Sequence, residues 1–474
     1  MCILEKQQLL GRIFLAAVFL SCTSFTQAQA KSRVGREFRE QVDLIARQAL
    51  ESTGVPSASI AIVKDGQIAY IQAYGHARLE PHIPARPEMR YSVGSISKQF
   101  TATAILMLAE EHKLSLDDPV SRFLPTLTRA NEVKIRELLS HTSGYQDYWP
   151  QDYVPPFMLA EVTADQILEQ WARKPLDFDP GTQWQYSNTN FVIAGLIVEK
   201  ASGMPLLKFL RERVFTPIKM ESVADVDGRP LGDTDATGYL RYGLGPDRVA
   251  PKEGKGWLYA AAELAMPAQD LAKWDLAMIN QRLLKPSSYK EMQTEVLLKN
   301  GEGTRYGLGI AVRQELNHRA LEHGGAVSGF AAQNVVFPDD RVAVIVLTNE
   351  MPADAASEIA HKIAGLLFSE DQVLDNKEKQ RARRLFDQLQ QGVVDRSLLT
   401  ANANSYLTEQ ALQDFSTSLA PLGPPQEFVQ TGKEQRGGMT FFSYKAKFSQ
   451  RTFAVWVREM PDGKIEQYQL MVEP

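Results

Sequence analysis

Cysteine is nearly absent from this chain of 474 residues: Cys2 and Cys22 are the only two, and both fall in the first thirty positions. Once a leader is removed, neither a disulfide framework nor thiol chemistry is available. Histidine is also sparse, with seven scattered copies and no H-E-x-x-H or comparable cluster. A metallohydrolase would lack its ligands, so no metal and no other cofactor is expected. Basic charge is not in excess: 52 Lys and Arg face 57 Asp and Glu, for a net charge of −5. Nucleic acid is therefore not an expected partner. Internal repeats and low-complexity tracts are missing as well.

The amino-terminal apolar run, IFLAAVFL at 13 to 20, is too short for a bilayer span, which takes about 20 residues. Lys6 and Arg12 precede it and Ala28-Gln29-Ala30 follows it. This is the layout of a signal peptide over 1 to 30, and it predicts a periplasmic or secreted protein. Its loss removes Lys6, Arg12 and Glu5 and moves the net charge to −6. FLSC, ending at Cys22, also resembles a poor lipoprotein box, so membrane association is expected only through a lipid on Cys22.

Three short patterns occur in order: GSISK at 94 to 98, YSN at 186 to 188 and HGG at 323 to 325. Ser95 and Lys98 stand three residues apart at the start of an apolar run (Phe100, Ala102, Ala104, Ile105, Leu106, Leu108), so a helix there stacks hydroxyl over amine. A serine hydroxyl becomes a good nucleophile when a neighbour takes its proton, and a lysine can do so when it is held neutral. Tyr186 adds a second proton-handling group and Asn188 a positioning amide. His323 heads a strand on which Gly324 and Gly325 leave room for substrate.

S-x-x-K recurs at Ser287 to Lys290, where Pro286 and an expected capping box of Ser288 with Glu291 mark an ordinary helix start. Tyr-x-Asn and His-x-Gly each occur once. That order and uniqueness, together with RELLSHTSG (136 to 144), PGTQWQYSNTNF (180 to 191), FTPIKM (215 to 220) and HGGAVSGF (323 to 330), resemble the serine β-lactamase and penicillin-binding-protein superfamily. The likeness is to its class C β-lactamase and D-alanyl-D-alanine carboxypeptidase branch, and it runs from about 38 to about 367.

The resemblance implies a serine hydrolase that forms an acyl-enzyme. Ser95 would be the nucleophile, with Lys98 and Tyr186 shuttling its proton in an order left open, and Asn188 orienting both. Backbone N–H groups of Ser95 and Ala326 would hold the oxyanion. The expected substrates are small esters, amides or D-amino-acid peptides. β-Lactamase or D-alanyl-D-alanine carboxypeptidase activity is the alternative, and a non-catalytic penicillin- or peptidoglycan-binding sensor is an alternative of another class. The sequence departs from the family's Lys-Thr-Gly at its third motif, where His323 replaces lysine. With an ordinary pKa of about 6.5, His323 would weaken a carboxylate anchor as pH rises through neutrality. His141 is expected to fix a loop by hydrogen bonding to backbone, and Trp149, Tyr153 and Phe157 to line the cleft mouth.

The expected fold is α/β, of the α+β kind: one antiparallel sheet flanked by helices with a helical lobe inserted, spanning 31 to 370. Its elements are a helix over about 36 to 53, a hairpin turned at Asp65-Gly66, and late strands at 306 to 314, 319 to 325, 329 to 337 and 341 to 349. Residues 371 to 474 read as a small α+β accessory domain. There a helix carries Leu385, Leu389 and Val393 on its apolar face, and three strands follow over 439 to 448, 451 to 460 and 464 to 472. Their order resembles the cone-shaped fold of nuclear-transport-factor-like domains.

Overall fold

The computed structural model describes residues 34–472 except 152, 244 and 352. The signal-peptide and Cys22 readings lie outside the described residues. Among those residues no single helix is long and apolar enough to cross a membrane.

Helix α1 (Arg36–Thr53) ends at Gly54, whose φ of 77° lets its N–H reach back to Leu50 O. Strands β1 (Ser57–Lys64) and β2 (Gln67–Arg78) form the expected hairpin. Asp65 and Gly66 both take positive φ, as a two-residue turn of this hand requires. After the short β3 (Ile83–Pro84), the sheet resumes with β4 (Ala311–Glu315), β5 (His318–Val327), β6 (Phe330–Phe337) and β7 (Val342–Thr348). The spatial order is β3-β2-β1-β7-β6-β5-β4, so early and late strands meet in the middle, with Ala61 opposite Ile345.

Both faces of these central strands are buried, which is why they read as continuous apolar runs. Ile60, Ile62, Val344 and Val346 pack with α1 and α5 (Ala355–Leu367) on one face. Ala61, Val63, Ile345 and Leu347 face the inserted helical lobe on the other. Each such valine, leucine or isoleucine contributes about 1.5–3 kcal/mol. At the centre of that lobe, α2 (Ser97–Glu110) is buried from Ser97 through Leu108 and packs against α3 (Asn188–Ser202). A helix apolar on every side belongs inside a protein.

Three expectations need correction here. Residues 306 to 310 are not strand: Gly309 turns there with a φ of 74°, and β4 begins only at Ala311. Ser288 and Glu291 form no capping box, because the helix there, α4 (Pro286–Met292), starts earlier, with Lys285 as N-cap and Pro286 in its first turn; Glu291 instead pairs with Arg136 at 3.3 Å. Val393 lies beyond α6 (Ser369–Gln390) and is 52% exposed, while Phe386 joins Leu385 and Leu389 on the buried side.

A C-terminal sheet domain is present. Its meander has four strands, β8 (Glu427–Arg436), β9 (Met439–Lys447), β10 (Thr452–Glu459) and β11 (Ile465–Val472), paired in chain order and packed against α6 and α7 (Glu409–Leu419). The sequence reading missed β8, whose second half is polar. The signal was Gly437-Gly438, both at positive φ, a two-residue hairpin turn.

Candidate active site

Ser95 sits in a single 3-10 turn, Gly94–Ile96, that runs directly into α2. It is partly exposed, whereas Lys98, one turn on, is fully buried. Lys98 Nζ lies 2.9 Å from Ser95 Oγ, 2.8 Å from Asn188 Oδ1 and 3.0 Å from the carbonyl oxygen of Ala261. A neutral amine has two N–H donors and one lone pair. The two carbonyl oxygens take the donors, which turns the lone pair toward the serine hydroxyl. Burial pushes the Lys98 pKa down to about 7, against an opposing pull from the Asp147 carboxylate.

Tyr186 and Asn188 flank the entry to α3. Burial pushes the Tyr186 phenol well above the ordinary tyrosine range, against an opposing pull from Ser95. Lys98 Nζ lies 4.9 Å from the centre of its ring. Asn188 connects Lys98 to Asp147, donating from Nδ2 to Asp147 Oδ1 at 3.2 Å and from its backbone N–H to the same oxygen at 2.9 Å. Asp147 thus caps α3 and fixes the amide that holds the lysine. Sequence reasoning missed Asp147, which no short pattern marks.

The third pattern closes the site from β5. A Cβ on Gly94 would lie 2.7 Å from Ala326 N, and one on Gly325 would lie 1.9 Å from Val93 O and 3.3 Å from Ser95 N. Only glycine permits this approach, which brings the backbone amides of Ser95 and Ala326 to one junction. Gly324 and Ala326 are exposed along the strand, and His323 and Gly325 are buried. His323 Nδ1 donates to Gly324 O at 2.6 Å, and its Nε2 accepts from the Tyr306 hydroxyl at 2.9 Å. Both nitrogens of a neutral ring are therefore occupied. Burial and nearby Lys98 lower the His323 pKa to about 4, so the expected titration near 6.5 is corrected: this ring stays neutral from pH 5 upward. Tyr306 is a second residue the sequence reading missed.

A cleft of about 1350 Å³ opens over Ser95. Trp149 and Tyr153 line it, as expected, together with Trp184, Tyr186, Asn188 and the 323 to 326 strand. Phe157 is not among the lining residues; it packs on Trp171 and Trp257 instead. Beyond the strand, Glu315, Glu322 and His361 bring three donor atoms within 4.8 Å of one another, a grouping that no sequence spacing revealed. These groups already have partners: His361 Nδ1 pairs with Glu315 at 2.7 Å and Arg313 Nε with Glu322 at 3.2 Å.

Known proteins with this architecture carry related names. A β-lactamase sequence profile matches residues 42–367. A putative penicillin-binding protein, PbpX, from Bacillus subtilis is 27% identical over 72% of this chain and 84% of its own length. A D-aminopeptidase from Brucella anthropi is 27% identical over 66% of this chain, a match that spans only 59% of that protein. Among solved structures, a D-stereospecific amidohydrolase from a Streptomyces species is 29% identical, with a TM-score of 0.59 over 67% of this chain and 96% of that one. An octameric penicillin-binding protein homologue from Pyrococcus abyssi, 21% identical, shares the fold with a TM-score of 0.63 over 92% of this chain and 100% of its own. That span is longer than residues 42–367 can supply, so the likeness of fold reaches into the C-terminal sheet domain. With a matched profile over more than half its length, the chain belongs to the β-lactamase family, and it is a serine hydrolase of that superfamily.

Proposed function

We propose that the enzyme hydrolyses small amides, D-amino-acid peptides or esters whose recognition does not depend on a carboxylate. Ser95 Oγ attacks the carbonyl carbon while its proton passes to Lys98 Nζ. The oxyanion is held by the N–H groups of Ser95 and Ala326. Tyr186, which keeps its proton at neutral pH, relays a proton to the departing amine or alkoxide, and water then releases the acyl group from Ser95. The observation that carries this reading is the buried Lys98 amine 2.9 Å from Ser95 Oγ, with its other two contacts already made to carbonyl oxygens. The neutral His323 argues for the substrate class, since it offers no cation to a penicillin or D-alanyl carboxylate. The names of the D-aminopeptidase and the amidohydrolase agree with an amide or peptide substrate.

We further propose a periplasmic or secreted location, on the signal-peptide layout of the sequence over 1 to 30. A non-catalytic sensor is disfavoured by the intact set of Ser95, Lys98 and Tyr186.

The test is a screen of the mature protein against D-alanyl amides and peptides, p-nitrophenyl esters and nitrocefin, with fluorophosphonate labelling in parallel. Amide or ester turnover should exceed nitrocefin turnover, and Ser95→Ala should lose both turnover and label while staying folded. Labelling of Ser95→Ala, or faster turnover of nitrocefin than of any amide or ester, overturns the reading. Ser287→Ala, in the second S-x-x-K, should change neither property.

A further inference from the structure

His141 belongs to no catalytic pattern, yet it is fully buried beside the reaction centre and adopts a φ of 58°, a conformation that non-glycine residues rarely take. Its Nδ1 lies 3.4 Å from Asn190 Nδ2, but two of its other attachments bracket a single neighbour. Its carbonyl oxygen accepts the N–H of Gln185 at 3.0 Å, and its Nδ1 accepts the N–H of Ser187 at 3.2 Å. These two amides flank Tyr186. The imidazole also lies over the Tyr186 ring, with centroids 4.3 Å apart and planes tilted by 35°. Trp184, Phe191 and Tyr306 close around the other sides of the imidazole.

We infer that His141 is the positioning residue for Tyr186: by gripping the backbone on both sides of the tyrosine and stacking on its ring, it fixes where the phenol oxygen stands relative to Ser95. This rests on the roles proposed above for Ser95 and Tyr186. Loop fixing alone would need only the two backbone bonds; the stacked ring adds control of a side chain that handles a proton. With Nδ1 acting as acceptor, the ring is neutral, and burial together with Lys98 and His323 keeps it so. The charged and titratable groups around Tyr186 are then Lys98, Asp147, Tyr148, His323 and Tyr306. Loss of the grip should leave substrate binding largely intact and slow the chemical steps, because misplacing a catalytic group by about 1 Å can cost about 100-fold.

Two variants separate the attachments. His141→Phe keeps a ring against Tyr186 but removes the acceptor for Ser187 N–H; His141→Asn tolerates the positive φ but removes the ring. Each is compared with wild type and Tyr186→Phe for kcat, KM and melting temperature, with kcat counted per fluorophosphonate-titrated site so that unfolded molecules drop out. The expected result is a kcat about 10- to 100-fold lower per titrated site in both variants and a KM within about threefold of wild type. A kcat per titrated site within twofold of wild type in both variants overturns the inference. So does a loss of activity that only follows a loss of titratable sites, which is what a purely structural role predicts. If Tyr186→Phe itself keeps full turnover, the proposed role of Tyr186 has failed instead, and the two failures remain distinct.

Discussion

At the scale of single residues, the site is governed by what burial does to three bases. Lys98, His141 and His323 are all buried, and burial lowers the pKa of each; Lys98 adds to the effect on both histidines and His323 to that on His141, so only Lys98 titrates near neutrality. Lys98 works as a base only when unprotonated. Activity should therefore rise as pH passes upward through about 7, and kcat/KM measured from pH 5 to 9 should show one ascending limb there. His323, at about 4, should add no limb in that range. A profile already flat from pH 5 would mean that Lys98 is neutral throughout or is not the base. These shifts could not be read from the sequence. Ser95, Lys98, Tyr186, Asn188 and His323 were legible because spacing and order mark them. Asp147 and Tyr306 were not, because their relevance lies in contacts across 41 and 17 residues of chain, with Asn188 and His323 respectively.

At the scale of elements, the active site is a junction between the turn that begins α2 and the strand β5, and its closeness depends on glycines. Gly325 and Gly324 are adjacent, but only Gly325 points into the junction, where a Cβ would sit 1.9 Å from Val93 O. At Gly324 the nearest atom to a Cβ is Gln333 Oε1 at 3.3 Å, the end of a movable side chain. Gly325→Ala should thus force β5 away from Ser95 and cut kcat/KM by about 100-fold or more, and Gly324→Ala should have a much smaller effect. Equal losses in the two variants would remove the geometric argument. The sequence could say that two glycines leave room, but which one faces the nucleophile depends on the strand's alternation, and that is fixed only by register with β6. Element boundaries failed for a similar reason. Residues 306 to 310 look like strand, but Gly309 packs its backbone against Lys98 and Ala102 of α2 and turns the chain before β4 begins. Strands buried on both faces were the easiest to find, since their apolar runs carry the signal by themselves.

At the scale of the whole molecule, the described residues build three apolar cores, two against the faces of the large sheet and one of residues from Ala382 to Tyr468 that contains no side chain from the sheet. Every residue lining the cleft falls between Ser95 and His361. We therefore propose that residues 371–474 form an accessory domain, and that the hydrolase folds and reacts without it. The cut should follow Phe368 rather than precede it, because that ring stacks on His318 at 4.0 Å and meets Phe337 at 4.8 Å, closing the core beneath β5 and β6. Removing the Phe368 ring would cost about 3–5 kcal/mol, a large part of the 5–15 kcal/mol that stabilises a typical domain. A chain ending at Phe368 should label with fluorophosphonate at the same stoichiometry as the full chain and keep kcat within a few fold, and one ending at Leu367 should melt at a lower temperature. A soluble, folded chain ending at Phe368 that fails to label would mean that the C-terminal domain completes the cleft, through contacts that position the β4 to β5 edge over Ser95.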